Sequence, residues 1–314
     1  MKPKQMAPLI LIAIIWGGYY VASQQTVNRM SEPGQMSQFP TGIVIRFLVM
    51  ILLTFIMLGR GELKLLLKVE GILPRLLLIG LLGFLLDLTA FIGLSLSPAG
   101  SGTALLKCDI IFVNLISMII YKTRFKISDW ICMIVMLFGV FMVMGVDFAH
   151  FSVGNVGTIF FILSALFVSI NAFVIKSVQL DKKNPAKDNV IAFYNNFVTM
   201  VLFFIAALIH GDLNLLGKLT TDTGLLIAAV CAGLGQTGIY LVYYYDLRRF
   251  PVWIVKVFLL LMPIVSTLIA FVLFDERMSV NQYIGMAIVL LGALGVLLLQ
   301  KRKSDQGEDV MGGH

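Results

Sequence analysis

Five ionisable side chains lie inside long apolar stretches of the sequence. They are Arg46, Asp87, Lys107, Asp109 and Lys256. An ionisable group in the middle of a membrane span costs about 2.5–3.5 kcal/mol on insertion scales, so each one needs a partner, a wet cavity or a function. We therefore predict that these residues belong to a substrate-binding or ion-coupling site.

Two interpretations of the acidic residues stay open. Asp87 and Asp109 lie near the middle of consecutive apolar stretches, and a hairpin between those stretches would bring them close to Lys107. In the first interpretation, an Asp87–Lys107 ion pair holds the hairpin together. In the second, the residues line a central cavity, and one carboxylate takes up and releases protons to couple transport to proton flow.

The lysines predict the charge of the substrate. Lys107 and Asp109 are two residues apart, about 200° around a helix, so they are not expected to face one cavity together. Aligning the two halves of the chain places Lys256 opposite Thr103, one turn from Lys107, so both lysines project from equivalent faces. If that face lines a cavity, its basic wall predicts a substrate with a carboxylate or phosphate, including zwitterions such as amino acids. Alternatively, Lys256 snorkels to the membrane surface or reaches Asp246.

A polar and aromatic stripe follows a later apolar stretch. Gln236, Tyr240 and Tyr244 are spaced four residues apart and share one helix face. Gln236 and Tyr240 lie too deep for an interfacial belt and are predicted to face the cavity, whereas the run from Tyr243 to Tyr245 also fits such a belt. Further candidates for cavity lining, with helix packing as the alternative, are Trp16, Asn171 and Asn196.

These residues must be positioned by membrane-spanning helices. Of the 314 residues 59% are hydrophobic and 13% charged, whereas soluble proteins carry about 25% charged residues. A bilayer core needs about 20 apolar residues per helix, and continuously apolar runs favour helices over a barrel. We predict an all-α polytopic membrane protein with ten transmembrane helices at 8–25, 41–59, 75–95, 102–120, 129–146, 155–176, 189–210, 223–245, 252–274 and 281–299.

The positions of lysine and arginine predict the orientation. With the N-terminus inside, eighteen of the 24 basic residues fall on the cytoplasmic side and three, Arg29, Lys218 and Arg277, fall outside. The positive-inside rule then places both termini in the cytoplasm and the chain in the cell (cytoplasmic) membrane. The clustering of basic residues at span ends also explains the net charge of +7 without nucleic acid.

The two halves of the chain resemble each other. A shift of 153 positions aligns 109–143 with 262–296 without a gap, and upstream the shift falls to about 150, where Arg46 faces Asn196. We predict a first five-helix repeat over 1–150, a second over 151–300 and a cytoplasmic polar tail over 301–314. Because five is odd, the repeats are expected to be inverted, an architecture typical of secondary transporters, which bind substrate near the midplane.

Several classes of protein are disfavoured. Cys108, Cys132 and Cys231 lie in apolar segments without metal-ligand or disulfide-framework spacing. No HExxH, GxSxG or paired-carboxylate motif in a catalytic context is present, so neither an enzyme, a metal site nor a cofactor is predicted. The N-terminal run also has the outline of a signal peptide, but its counterpart in the second repeat favours its retention as the first helix.

Short sequence motifs recur along the whole chain: Trp16-Gly17-Gly18, Arg46-Phe47, the stretch from Met262-Pro263 to Phe274-Asp275-Glu276-Arg277-Met278, and Gly285 with Gly292. These motifs resemble those of the EamA family of the drug/metabolite transporter superfamily. The first repeat departs from the pattern, with Tyr121-Lys122-Thr123-Arg124 and with Ile110 where Pro263 stands in the second. The resemblance implies ten helices as two repeats and the export of amino acids, metabolites or drugs.

The function predicted from these observations is secondary transport of a small metabolite by alternating access, in the export direction, with an amino acid or another carboxylate-bearing solute as the expected substrate. Besides this solute and the lipid bilayer, the partners considered are protons for coupling and a second copy of the chain in a homodimer. The alternatives are a drug or cation antiporter, although the first helix lacks an acidic residue, a non-transporting membrane scaffold, and an intramembrane enzyme.

Overall fold

The structure is a computed structural model, and it describes residues 3–96, 106–122, 125–143, 156–274 and 279–305. All regular secondary structure in these ranges is helical, as predicted. The helices are α1 (Pro3–Met30), α2 (Gln38–Gly59), α3 (Leu73–Leu96), α4 (Asp109–Ile120), α5 (Ile127–Val143), α6 (Val156–Gln179), α7 (Asp188–His210), α8 (Thr223–Arg249), α9 (Val252–Leu259), α10 (Met262–Phe274) and α11 (Val280–Asp305). Two 3-10 helices, Leu63–Leu67 and Asp212–Thr220, follow α2 and α7.

Length and apolar composition qualify seven stretches of the described chain as membrane spans. Three shorter apolar helices, Asp109–Ile120, Ile127–Val143 and Val280–Gly295, lie where the fourth, fifth and tenth spans are predicted. Large apolar side chains face outward along both the long and the short helices, for example Ile209 of α7 at 81% exposure and Ile119 of α4 at 78%. Such side chains are stable in contact with lipid tails, so the chain is a polytopic membrane protein. The count of ten spans stays a prediction.

The fourth and ninth predicted spans are interrupted in the structure. A turn at 107–108 precedes α4, and a turn at 260–261 separates α9 from α10. The prediction of continuous helices over 102–120 and 252–274 is therefore wrong at these turns, and residues 102–105 lie outside the described ranges. In the ninth span Pro263 explains the interruption, because proline has no N–H to donate to the carbonyl of Leu259. In the fourth, Asp109 favours a new helix start, since the helix dipole stabilises an acidic side chain in the first turn.

The described residues form two compact units that do not follow the two sequence repeats. The first unit contains Met1–Gly17, Leu86–Ala172 and Arg249–His314. The second unit contains Gly18–Leu85 and Phe173–Arg248. Each unit therefore combines segments from both repeats.

In the first unit, α5 and α11 pack tightly along their lengths. Gly139 faces Val289 across the seam, and at the repeat-equivalent positions, 153 residues on, Gly292 faces Met136. Further along, Gln282 donates a hydrogen bond of 3.0 Å to the carbonyl of Val143. As residue numbers rise along α5 they fall along α11, so the two helices run antiparallel.

Glycine allows this close approach of α5 and α11, and a substitution at Gly285 tests how close the two helices are. A Cβ atom on Gly285 would lie 2.7 Å from the carbonyl oxygen of Gly139 and 2.8 Å from the backbone nitrogen of Val143. Because backbone atoms cannot yield, Gly285→Ala is expected to lower the free energy of unfolding by about 1–3 kcal/mol. Gly217→Ala, where a Cβ meets nothing within 4 Å, is the control. Thermal unfolding of both variants measures the effect, and equal melting temperatures would contradict the tight seam.

In the second unit, α2 packs against α7, and polar contacts connect the repeats at the loops. Glu62 is buried and accepts hydrogen bonds from Asn189 at 2.6 Å and from Lys187 at 3.0 Å. Arg75 pairs with Asp181 at 2.5 Å, and this hydrogen bond, with two backbone N–H donors, lowers the pKa of Asp181 to about 2. Both acids are therefore held as carboxylates at neutral pH.

Glu62 gives a prediction for the dependence of stability on pH. Burial raises the pKa of Glu62. The hydrogen bonds from Asn189 and Lys187 and the charges of Lys187 and Arg60 lower it by more, so the pKa of Glu62 lies below its ordinary value of 4.5. A depressed pKa in the folded state stabilises the fold above the unfolded value and stops doing so as the pH falls through the folded value. The melting temperature of the native protein is therefore expected to exceed that of Glu62→Gln at pH 7, and the difference is expected to shrink below about pH 4.5. A constant difference down to pH 3 would contradict this.

Candidate functional site

In the first unit, three of the predicted site residues meet at the interrupted spans. Lys256 of α9 is 2% exposed, and its Nζ donates to Oδ2 of Asp109 at the start of α4 over 2.8 Å. The Nζ of Lys107, in the turn before α4, lies 3.5 Å from the sulfur of Met262, the first residue of α10. The hydroxyl of Ser169 on α6 lies 3.1 Å from the carbonyl oxygen of Asp109, and its shorter hydrogen bond, of 2.7 Å, is to the carbonyl of Ala165. We call Lys107, Asp109, Ser169, Lys256 and Met262 the break cluster.

The break cluster corrects two interpretations of the sequence. Lys256 does not snorkel to the membrane surface, because its ammonium group is buried on Asp109. The estimate that Lys107 and Asp109 point in different directions assumed a continuous helix. Because the chain turns at 107–108, both side chains reach residues of the ninth span.

Buried polar residues form a second group, within the second unit. Arg46 of α2 is 7% exposed and donates to the hydroxyl of Tyr240 on α8 at 2.6 Å. Asn196 of α7 donates to the backbone carbonyl of Arg46 at 2.7 Å. Asn195 donates to the hydroxyl of Tyr244 at 2.7 Å, and the rings of Tyr240 and Tyr244 stack edge to face at 5.4 Å. These five residues, called the arginine cluster, join α2, α7 and α8.

The interfacial interpretation of the tyrosines on α8 is wrong for two of the three. Tyr243 is 5% exposed and Tyr244 1% exposed, so they pack inside the protein rather than in a belt. Gln236 is also buried, on the same stripe as Tyr240 and Tyr244. The stripe is therefore an internal face of α8, and its role as cavity wall stays a prediction.

The remaining candidates lie in the first unit outside the break cluster. Asp87 on α3 and Trp16 on α1 are half-buried. Asn171 on α6 is 6% exposed, and its Oδ1 accepts no hydrogen bond within the described chain. The proposed Asp87–Lys107 ion pair stays a prediction.

Three members of the clusters escape an inspection of the sequence. Ser169 and Asn195 are polar residues in apolar helices, and nothing in their spacing distinguishes them from packing residues. Met262 could have been found, because a shift of 153 places it opposite Asp109. Among the described residues, no group of three or more His, Cys, Asp or Glu is arranged to hold a metal ion.

The fold and these clusters define a polytopic helical membrane protein with ionic groups buried between its helices. The chain belongs to the EamA-like transporter family, whose model matches it twice, at residues 6–145 and 155–298. The matches agree with the predicted resemblance.

Relatives agree with this assignment. An uncharacterised transporter of Haemophilus influenzae is 31% identical over 160 residues, which are 49% of this chain. The chain spans about half the length of that relative, 51%. A protein of known crystal structure shares the fold with a TM-score of 0.74 at 17% identity, over 96% of this chain and 99% of its own.

Proposed function

We propose that the protein is a secondary transporter that exports a small anionic metabolite, such as an amino acid or another carboxylate-bearing solute, across the cytoplasmic membrane by alternating access. The break cluster is the observation that carries this proposal. It combines a buried ion pair with a second ammonium group at the point where two apolar spans are interrupted. Ionisable side chains buried in membrane spans are energetically costly, and they mark substrate or ion pathways in membrane proteins.

The two interruptions occupy equivalent positions in the repeats. The turn at 107–108 corresponds to the turn at 260–261 under the shift of 153. The hydrogen bonds also correspond: Ile111 N–H donates to the carbonyl of Cys108 at 2.9 Å, and Ile264 N–H donates to the carbonyl of Leu261 at 3.1 Å. Interrupted helices at matching places in two repeats are typical of substrate sites in transporters.

One difference between the repeats supports an anionic substrate. The first residue of α4 is Asp109, which places a carboxylate at the positive end of that helix. The equivalent first residue of α10 is Met262, which has no charge, and the ammonium group of Lys107 lies next to it. Lys107, Asp109 and Lys256 together carry a formal charge of +1. We infer that the carboxylate or phosphate of the substrate binds Lys107 at the start of α10.

Antiparallel packing of equivalent helices supports inverted repeats. Helices α5 and α11 derive from equivalent parts of the two repeats and run antiparallel with matched glycine contacts. Arg46 and Asn196, also equivalent, are hydrogen-bonded to each other where α2 meets α7. A twofold axis in the membrane plane would produce both features, and it favours an odd number of spans in each repeat, which puts both termini on the same side of the membrane.

Proton coupling is proposed for a carboxylate of the first unit, either Asp109 or Asp87. Protonation of Asp109 would remove the negative partner of Lys256 and so change the charge of the break cluster from +1 to +2. Such a change alters the affinity for an anion, which is how proton and substrate fluxes become coupled.

Transport by purified protein in vesicles tests the function. A panel of solutes bearing carboxylate, phosphate, neutral or cationic groups is first ranked by thermal stabilisation, since a ligand at a hundred times its Kd adds about 2.7 kcal/mol. The highest-ranked solute is then expected to be an anion or zwitterion and to move faster under an imposed pH gradient. A cationic best ligand would overturn the anion proposal, and coupling retained in both Asp87→Asn and Asp109→Asn would overturn proton coupling through these residues.

A further inference from the structure

The loop after α2 and the loop after α7 are copies of one sequence with different surfaces. Residues 61–68 read GELKLLLK, and residues 211–218 read GDLNLLGK, at a shift of 150. Both begin with a glycine at positive φ, 65° at Gly61 and 87° at Gly211, and continue into a 3-10 helix. The shared backbone makes differences between the copies informative about what covers each one.

The second copy is packed into the protein. Leu215 is 3% exposed and belongs to an apolar cluster with Met30, Val44 and Leu225, on which Leu216 also packs. Lys218 donates to the carbonyl of Ser31 and pairs with Glu32. In this copy, therefore, Leu215 and Leu216 pack against apolar side chains of the second unit, and Lys218 is bonded to polar groups of the same unit.

The first copy is anchored at its ends but exposed between them. Glu62 is buried on Asn189, and Val69 is 7% exposed. None of the residues of the 3-10 helix Leu63–Leu67 is buried, and Leu67 is 86% exposed, where the second copy has Gly217. In water the exposed side chain of Leu67 would be unfavourable, whereas at a bilayer surface it can enter the lipid.

The first copy is also the more basic. Arg60, Lys64 and Lys68 are exposed, and of the three the charge of Arg60 also acts on the neighbouring Glu62. At the first two positions the second copy has His210 and Asn214. Glu62 is occupied by Lys187 and Asn189, which leaves Glu70 as the exposed acid of this loop.

We propose that Arg60, Lys64, Lys68 and Leu67 form a docking surface for anionic phospholipid. The three cations bind the phosphate groups of lipids in the leaflet that α2 reaches at its C-terminal end, and Leu67 inserts among the acyl chains. Basic side chains beside an anionic leaflet attract it electrostatically, and the attraction is screened by salt. This surface does not depend on transport, so it stands or falls separately from the proposed function.

Lipid retention by the purified full chain tests the surface. The protein in neutral detergent is incubated with dioleoyl-phosphatidylglycerol or dioleoyl-phosphatidylcholine, and bound lipid is counted by native mass spectrometry. The native protein is expected to retain phosphatidylglycerol preferentially. Each of Arg60→Gln, Lys64→Gln and Lys68→Gln is expected to lower that retention about fivefold at low ionic strength. Leu67→Asn is expected to lower the retention of both lipids about tenfold.

Matched controls make the result decisive. Lys182→Gln with Lys183→Gln removes two exposed charges from the loop after α6, and this double variant is expected to retain phosphatidylglycerol as the native protein does. All altered side chains are exposed, so melting temperatures in detergent are expected to stay unchanged. If the double control variant melts lower than the native protein, whichever of its two single variants does not melt lower takes its place. Equal retention of the two lipids by the native protein, unchanged retention in Lys64→Gln and Lys68→Gln, or an equal loss in the control would overturn the proposal. The first of these outcomes would point to a soluble protein partner instead.

Discussion

Lys256→Met is expected to lower the free energy of unfolding by about 3–5 kcal/mol and to abolish transport. Lys256 is 2% exposed and bonded to Asp109 at 2.8 Å. The substitution leaves buried Asp109 without its hydrogen-bonded partner, and removing one member of a buried ion pair is strongly destabilising. Thermal unfolding and vesicle transport of the highest-ranked solute measure the two effects.

A second substitution separates the structural role of the pair from its role in transport. Lys256→Met combined with Asp109→Leu removes both charges with side chains of similar volume, and such replacements are often neutral or stabilising. We expect this double variant to recover most of the lost stability and still to transport nothing. Recovery of transport together with stability would show that the pair is structural only, and the proposed site would then have to lie elsewhere.

Met262→Asp is expected to abolish binding of the anionic solute, an effect on function as large as that of Lys256→Met. The substitution places at the start of α10 the carboxylate that the equivalent residue, Asp109, places at the start of α4. It would pair with Lys107, whose Nζ lies 3.5 Å from the present methionine sulfur. A carboxylate within the chain then occupies the place proposed for that of the substrate.

Lys107→Gln tests the same contact from its other side. A hydrogen bond to a charged group contributes about 1.5–3 kcal/mol, so its loss is expected to raise the Kd of the anionic solute about 10- to 100-fold. Lys183→Gln, which removes an exposed lysine, is the control and should leave the Kd unchanged. Thermal stabilisation over a concentration series measures the Kd. Unchanged affinity in both Lys107→Gln and Met262→Asp would eliminate the start of α10 as the anion site.

The sequence by itself determined the class of protein and where its polar chemistry is concentrated. Continuous apolar runs require backbone hydrogen bonds within each segment, so the helices could be placed, and every described α-helix overlaps a predicted segment. The cost of charge in lipid singled out Arg46, Asp109 and Lys256, and all three are buried on polar partners. Local periodicity and composition carry this information because each depends on neighbouring residues alone.

Only the tertiary structure decided which side chains meet. Lys256 and Asp109 are 147 residues apart, and no local pattern specifies contacts at that distance. The turn at 107–108 reversed the estimate made from helical spacing, and Tyr244, which also fitted an interfacial belt, is hydrogen-bonded to Asn195 inside the protein. Partners of buried groups are selected by packing between helices, which depends on the whole fold, whereas helix formation in a membrane depends on each segment alone.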